Sequence, residues 1–429
     1  MSHRKYMHDA IASRTRYGCF YISCSSIEEY AASGQSFERS MKKKTAPKKQ
    51  RTKIKIPDCK RFSGYKPCFP GSTCYKECAD PDPIGTKILI INLDAMGAVL
   101  QTTAMLPAIK RKYPQSHVSW ITLKNAYHLL DNNPSINAAY VWEPESWLVL
   151  QNIEFDIVYN SDKSKRSCAF CNTLTAKEKL GFGLNEDGII VPLNKEAEYN
   201  YRLGLDDNLK FRVNKKYGTE ILHETMKLTF RRDEYILNLA EEEKKYCEQY
   251  ARETGLTGGD VIVGFNTGCS YLYPNKKMTI DQHVAIVEAL SAMKGIRIVL
   301  LGGPEDTERN AEIARRVGEK VVSTPTTQGV RRGICYENIC DVIVTGDTFG
   351  MHAAIGLKKY VIVWFGLSCW SEIDLYDRGV KLIPDELHCA PCWKKSCPYD
   401  LECIQMIDLE GIIRAVEVFA KQKMQLKSL

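Results

Sequence analysis

At 429 residues, 44% hydrophobic and 26% charged, the chain is long enough for two domains and has the composition of an ordinary globular protein. No apolar run approaches the ~18 residues of a membrane span, and the first 25 residues lack the apolar stretch and small cleavage-site residues of a secretory signal, so a cytoplasmic location is expected. The net charge of +7 comes from one stretch, MKKKTAPKKQRTKIK over residues 41–55; the remainder is nearly neutral, so charge is no argument for nucleic-acid binding.

Residues 1–56 are polar and basic with no sustained periodicity, and read as a disordered or appended arm. Cysteines are frequent, 17 in all, and they cluster; without a secretory signal this favours metal ligation or a reducing interior over disulfides. A first set, Cys59, Cys68, Cys74 and Cys78, precedes the first strand at loose spacing. It reads either as a metal site or as unligated thiols.

A first α/β unit spans 57–235. Its opening strand, residues 87–93, is apolar on both faces like a buried parallel strand. The loop Asp94-Ala95-Met96-Gly97 leads into a helix ending before Pro114, and further strands are predicted at 117–123, 139–142 and 155–160. The pair Cys168 and Cys171 reads as buried packing. Residues 220–253 are densely charged with a helical pattern, and a helical connector is predicted at 236–257.

A second unit spans 258–405, followed by a helix within 406–429. Strands are predicted at 261–265, 296–301, 341–345 and 360–365. A helix begins after Thr279, with Gln282 placed to complete a capping box. Three loops follow strand ends, where ligands bind in open α/β sheets. The first holds Asn266, Thr267 and Gly268 with Lys276 close behind. A lysine there neutralises a diphosphate, or else belongs to a solvated pair with Lys277. The second is Gly302-Gly303-Pro304-Glu305, an anion-binding turn or simply a tight one. The third runs from Asp347 and Thr348 through Gly350 to His352. Asp347 is a sugar-hydroxyl acceptor or a helix N-cap, and His352 a ligand contact or a buried, satisfied histidine.

Asp94–Pro114, with these three loops in the same order, resembles the bacterial heptosyltransferases of glycosyltransferase family 9 over residues 57–420. The resemblance implies a GT-B fold: two Rossmann-like doubly wound α/β domains facing a cleft. It also implies a nucleotide-sugar donor such as ADP-heptose in the second domain and a glycan or protein acceptor in the first. Transfer would invert the anomeric carbon without a catalytic metal. By position, Lys276 contacts the donor phosphate, Asp347 the sugar, and Thr348 and His352 the sugar–diphosphate region. Two departures stand out. The family usually has Gly-Asp after the first strand, its presumed base, where this chain has Gly97-Ala98; Asp94, the nearest carboxylate, is either the candidate base or a loop-capping aspartate. Phe349-Gly350 replaces the common Gly-Pro.

The last motif is Cys389-x2-Cys392-x4-Cys397-x5-Cys403. A CxxC pair with two further cysteines suits a tetrahedral structural iron or zinc. Similar sets occur near the C-terminus of some family members, including the autotransporter-modifying branch with its cysteine-bound iron. The leading expectation is heptosyl transfer to a lipopolysaccharide core or a protein serine, by a chain able to form homo-oligomers. The alternatives are a catalytically silent nucleotide-sugar-binding protein and a cysteine-cluster scaffold on the same fold.

Overall fold

A computed structural model of the protein describes residues 54–427 except 77, 79, 385 and 386, and residues 56 onward form one compact unit. The basic arm expected over residues 1–56 lies outside the described residues, apart from its last three positions.

The first lobe holds a six-stranded sheet of β1 (Thr86–Ile91), β2 (Ser116–Thr122), β3 (Ala138–Val141), β4 (Glu154–Asn160), β5 (Thr175–Leu184) and β6 (Ile190–Pro192), in the order β3-β2-β1-β4-β5-β6. All pairings are parallel except β5 with β6. The last four side chains of β1 are buried on both faces, because the strand lies mid-sheet with Ile88 level with Val118 and Ile157.

The second lobe repeats the winding with β7 (Val261–Asn266), β8 (Ile296–Leu301), β9 (Val321–Ser323), β10 (Val342–Gly346), β11 (Tyr360–Trp364) and β12 (Gly379–Leu382), all parallel in the order β12-β11-β10-β7-β8-β9. In each lobe the chain reverses winding direction beside its first strand. The crevice at the strand carboxyl ends therefore opens between β1 and β4, and between β7 and β10.

The predicted strands and the capping box appear close to their expected places; Thr279 accepts from the Gln282 amide while Gln282 accepts from the Thr279 amide. Other segments differ. The first helix is broken into Met96–Thr102 and Met105–Lys112. The region 220–253 is not one helical connector: helices Gly218–Thr225 and Glu241–Glu253 flank a non-helical run over residues 228–240. Distant partners hold that run open. Arg232 makes paired bonds of 2.8 and 2.9 Å to buried Asp374, and Glu234 pairs with Arg378 at 2.9 and 3.0 Å. The charges that mimic a helical surface are consumed across the chain instead.

An apolar cluster runs from the first sheet through Leu228, Tyr235 and Leu237 of this linker into the second, with Met351 and Ile355 on the far side. Helix Met96–Thr102 packs directly on helix Phe349–Gly356, so the lobes meet through ordered structure at the strand ends. The helix Leu409–Lys427 closes the outer core of the second lobe with Ile412, Val416 and Ala420.

Candidate functional site

At the end of β10, Asp347 is buried and paired. Lys276, in the short turn Pro274–Lys276 after β7, donates to its Oδ2 at 2.8 Å and its main-chain oxygen at 3.1 Å. Burial works to raise the Asp347 carboxyl; the Lys276 charge and hydrogen bond, with His352 and a hydrogen bond from Ser368, together outweigh it and hold the group below its usual range. Both readings left open for these residues narrow. Lys276 is only 14% exposed, no solvated lysine, and Asp347 is not the helix N-cap, a place taken by Thr348.

His352 stands one turn further on. Its Nε2 lies 4.0 Å from Asp347 Oδ1, its ring stacks on Tyr235 of the linker at 5.9 Å, and its Nδ1 is buried without a partner. Burial pushes it down to about 4 despite the nearby carboxylate, so it is neutral at physiological pH. It is not a satisfied core histidine. Across the lobe boundary it touches the start of helix Met96–Thr102: a Cβ on Gly97 would fall 2.4 Å from the His352 ring. Only a glycine permits that approach.

Asn266 ties the first and third loops together, donating to Thr345 at 3.0 Å and Thr348 at 2.6 Å, with Gly350 pressed against its amide. Gly268, Gly302 and Gly303 gather around a different group, buried Asp306. Gly303 N–H donates to it at 3.0 Å, and a Cβ on Gly268 would sit 1.8 Å from its Oδ1. The Gly302-Gly303 turn is thus closed on its own carboxylate, as a tight turn would be, while Oδ1 has no partner. Thr267 donates to the Leu301 carbonyl at 3.3 Å, and its own carbonyl accepts from Arg309 at 3.0 Å.

In the first lobe, Asp94 is half-exposed and ion-paired with Arg166. Behind it lies Asp162, just past the end of β4, which sequence reasoning missed although its place at a strand end marks it. Asp162 accepts from Leu93 N–H and the Asn92 amide, both at 2.5 Å, and from Asp94 N–H at 3.4 Å. Burial raises it to about 6 against these bonds. Also missed, for want of any local motif, are Glu372, Lys163 and Lys210. Lys210 lies 3.7 Å from Glu372, whose carboxyl is raised by burial; burial and the Lys210 charge bring Lys163 down to about 8.

Cys389, Cys392, Cys397 and Cys403 line one small cavity of about 20 Å³. Burial raises Cys403 to about 11, with repulsion from the other three sulfurs added. Among the described residues, no three His, Cys, Asp or Glu side chains stand in an arrangement that would hold an ion. Of the earlier set, Cys59 is buried, Cys68 exposed, and Cys74 and Cys78 intermediate. Cys168 and Cys171 are buried, as packing requires, and burial raises both. No helix among the described residues is long and apolar enough to cross a membrane.

The model of glycosyltransferase family 9 (heptosyltransferase) matches residues 147–402. A lipopolysaccharide core heptosyltransferase, OpsX of Haemophilus influenzae, is 30% identical over 104 residues, 23% of this chain and 30% of that protein. Lipooligosaccharide heptosyltransferase 2 of Campylobacter jejuni is 25% identical over 169 residues, 38% of this chain and 52% of its own length. The matches thus span about half of these relatives or less. Among solved structures, a family 9 glycosyl transferase from Veillonella parvula superposes with a TM-score of 0.62 at 18% identity, covering 79% of this chain and 98% of that one. The E. coli ADP-heptose lps heptosyltransferase II gives 0.59 at 17% identity, covering 79% and 100%. These likenesses establish the shared GT-B architecture. With more than half of its length matched by the family model, the chain belongs to glycosyltransferase family 9, the heptosyltransferases.

Proposed function

We propose that the protein is an inverting glycosyltransferase that moves a sugar, with ADP-heptose the first donor to test, from a nucleotide diphosphate in the second lobe to an acceptor hydroxyl at the first. The observation that carries this is the Lys276–Asp347–His352 cluster at the β7/β10 switch point, in contact with Gly97 of the opposite lobe. As the sugar–phosphate bond breaks, charge builds on the departing diphosphate, and a buried lysine already at that place stabilises it with little reorganisation. Asp347, released from Lys276 by the phosphate, is free to accept from sugar hydroxyls. Neutral His352 has a nitrogen available for a polar contact with the donor.

Asp94 is the proposed base, with its loop held by Asp162; the ion pair with Arg166 opens when the acceptor hydroxyl takes its place. The acceptor is a lipopolysaccharide core sugar or a protein serine. We further propose that Cys389, Cys392, Cys397 and Cys403 bind one iron or zinc ion. Four thiols line one cavity and supply the ligand set, but they must draw closer than they stand here to close on an ion. Four sulfurs complete a tetrahedral shell, so the ion would order the loop and take no part in transfer.

Purified protein incubated with ADP-heptose and each acceptor class tests the proposal. Acceptor-dependent ADP release supports transfer; binding without turnover supports a silent sugar-nucleotide binder, and no binding overturns both. Asp94→Asn with unchanged turnover removes Asp94 as base. Metal analysis is expected to give about one ion per chain, and none overturns the cysteine site; two would bring in Cys59, Cys68, Cys74 and Cys78.

A further inference from the structure

We propose that Trp393, carried by the cysteine loop, is a positioning residue of the donor site: its ring holds the Lys276 ammonium where the donor diphosphate will meet it. This rests on the reading of the second lobe as a nucleotide-sugar site.

Lys276 Nζ lies 4.3 Å from the centre of the Trp393 ring, well within the range of cation–π attraction. Tyr273 lies 5.6 Å away and packs on Trp393 with ring centres 5.3 Å apart, so two aromatic rings flank one ammonium. Lys210 of the first lobe approaches the same Trp393 ring at 5.5 Å. The indole is therefore a surface on which cations from both lobes converge.

The backbone is bent to place it there. Trp393 has a φ of 54°, in the left-handed region that a side-chain-bearing residue rarely adopts. That turn is fixed by the Leu367 carbonyl, which accepts from Cys392 N–H at 3.0 Å and Trp393 N–H at 2.8 Å. Asn275, next to Lys276, donates to the Lys395 carbonyl at 3.0 Å and locks the loop against the lysine turn. From the first lobe, Arg212 donates to the Ala390 and His388 carbonyls at 2.9 and 3.0 Å.

The chemistry explains why a ring suits this place. A π face attracts the charge as a whole and claims no acceptor geometry, so the hydrogen bonds now given to Asp347 stay exchangeable for phosphate oxygens. A second carboxylate there would compete with the diphosphate. The cysteine loop thereby acquires a task at the site as well as in the fold.

The test is ADP binding by calorimetry to the full chain and to the variants Trp393→Leu, Trp393→Phe, Lys276→Met and the Trp393→Leu/Lys276→Met double. Leucine keeps apolar bulk and loses the π face; phenylalanine keeps a weaker face. We expect roughly tenfold weaker binding for Trp393→Leu and recovery to within about threefold for Trp393→Phe. The double variant should bind no worse than Lys276→Met alone, because the ring acts through the lysine. Wild-type affinity in Trp393→Leu, or losses that simply add in the double variant, overturn the inference and leave the donor-site reading intact. Failure of the wild type to bind ADP overturns that reading and this one with it. Thermal melting of each variant confirms that folded proteins are compared; should Trp393→Leu not fold, the Trp393→Phe decrement and its coupling to Lys276→Met decide the matter.

Discussion

Lys276 and Asp347 are partners now, and each is expected to exchange the other for substrate. Replacing Lys276 by Met removes a charge that supports the Asp347 carboxylate and that, in the proposed reaction, meets a departing diphosphate. Turnover should fall on the order of 100-fold or more, and the melting temperature should fall as well, because Asp347 is left without its partner. Assayed well below the variant's melting temperature, a fall in turnover no larger than the loss of folded protein would make the lysine structural. His352 gives a second expectation, in stability. Its pKa drops from 6.5 unfolded to about 4 folded, so between those values the unfolded chain binds more protons than the native one. Stability must then rise with pH across that window, and acid must weaken the fold. Buried His283, pushed to about 3 by burial and by the charge of Arg309, adds in the same sense. His352→Asn should flatten part of the slope in melting temperature between pH 4 and 6.5. An unchanged slope would mean that other groups set it.

At the scale of elements, the contact between helices Met96–Thr102 and Phe349–Gly356 depends on a missing side chain. Gly97→Ala would drive a Cβ into the His352 ring, forcing the helix Met96–Thr102 or the histidine to shift at a cost of about 1–3 kcal/mol. Donor affinity should weaken in parallel if the displaced histidine belongs to the proposed donor loop; tight donor binding with lowered stability would separate the two. This same contact marks where the sequence is and is not legible. Strands such as Ile296–Leu301 and the Thr279 cap are written locally, in apolar runs and a four-residue motif, and were found where read. The Asp347 loop was legible because a strand, a polar turn and a helix follow one another. Residues 228–240 were not, since Arg232 and Glu234 reveal their roles only through Asp374 and Arg378, far along the chain. Gly302-Gly303 leaves its two readings open in the sequence: glycines suit an anion-binding turn and a tight one alike, and the carboxylate beside them here is the protein's own Asp306. Asp162, Glu372, Lys210 and Trp393 became functional candidates only when tertiary structure brought them to the site.

At the scale of the whole molecule, the cysteine loop bridges the two lobes. It is tied to the second lobe through Leu367 and Asn275 and to the first through Arg212, beside the extended linker and its ion pairs. A brace on both lobes resists opening, while glycosyl transfer requires the acceptor to enter and the products to leave. Loosening the brace should therefore appear as local mobility more than as global unfolding. Arg212→Ala removes two hydrogen bonds to main-chain carbonyls, each worth about 1 kcal/mol or less because the arginine is exposed. We expect faster amide exchange across residues 389–403, with the strands of both sheets unaffected. Stripping the proposed ion with a chelator should speed exchange in the same segment and weaken ADP binding, because the loop that fixes Trp393 would no longer be ordered. If Arg212→Ala leaves exchange over 389–403 unchanged, the loop is held by the second lobe alone, and the lobes move without reference to it.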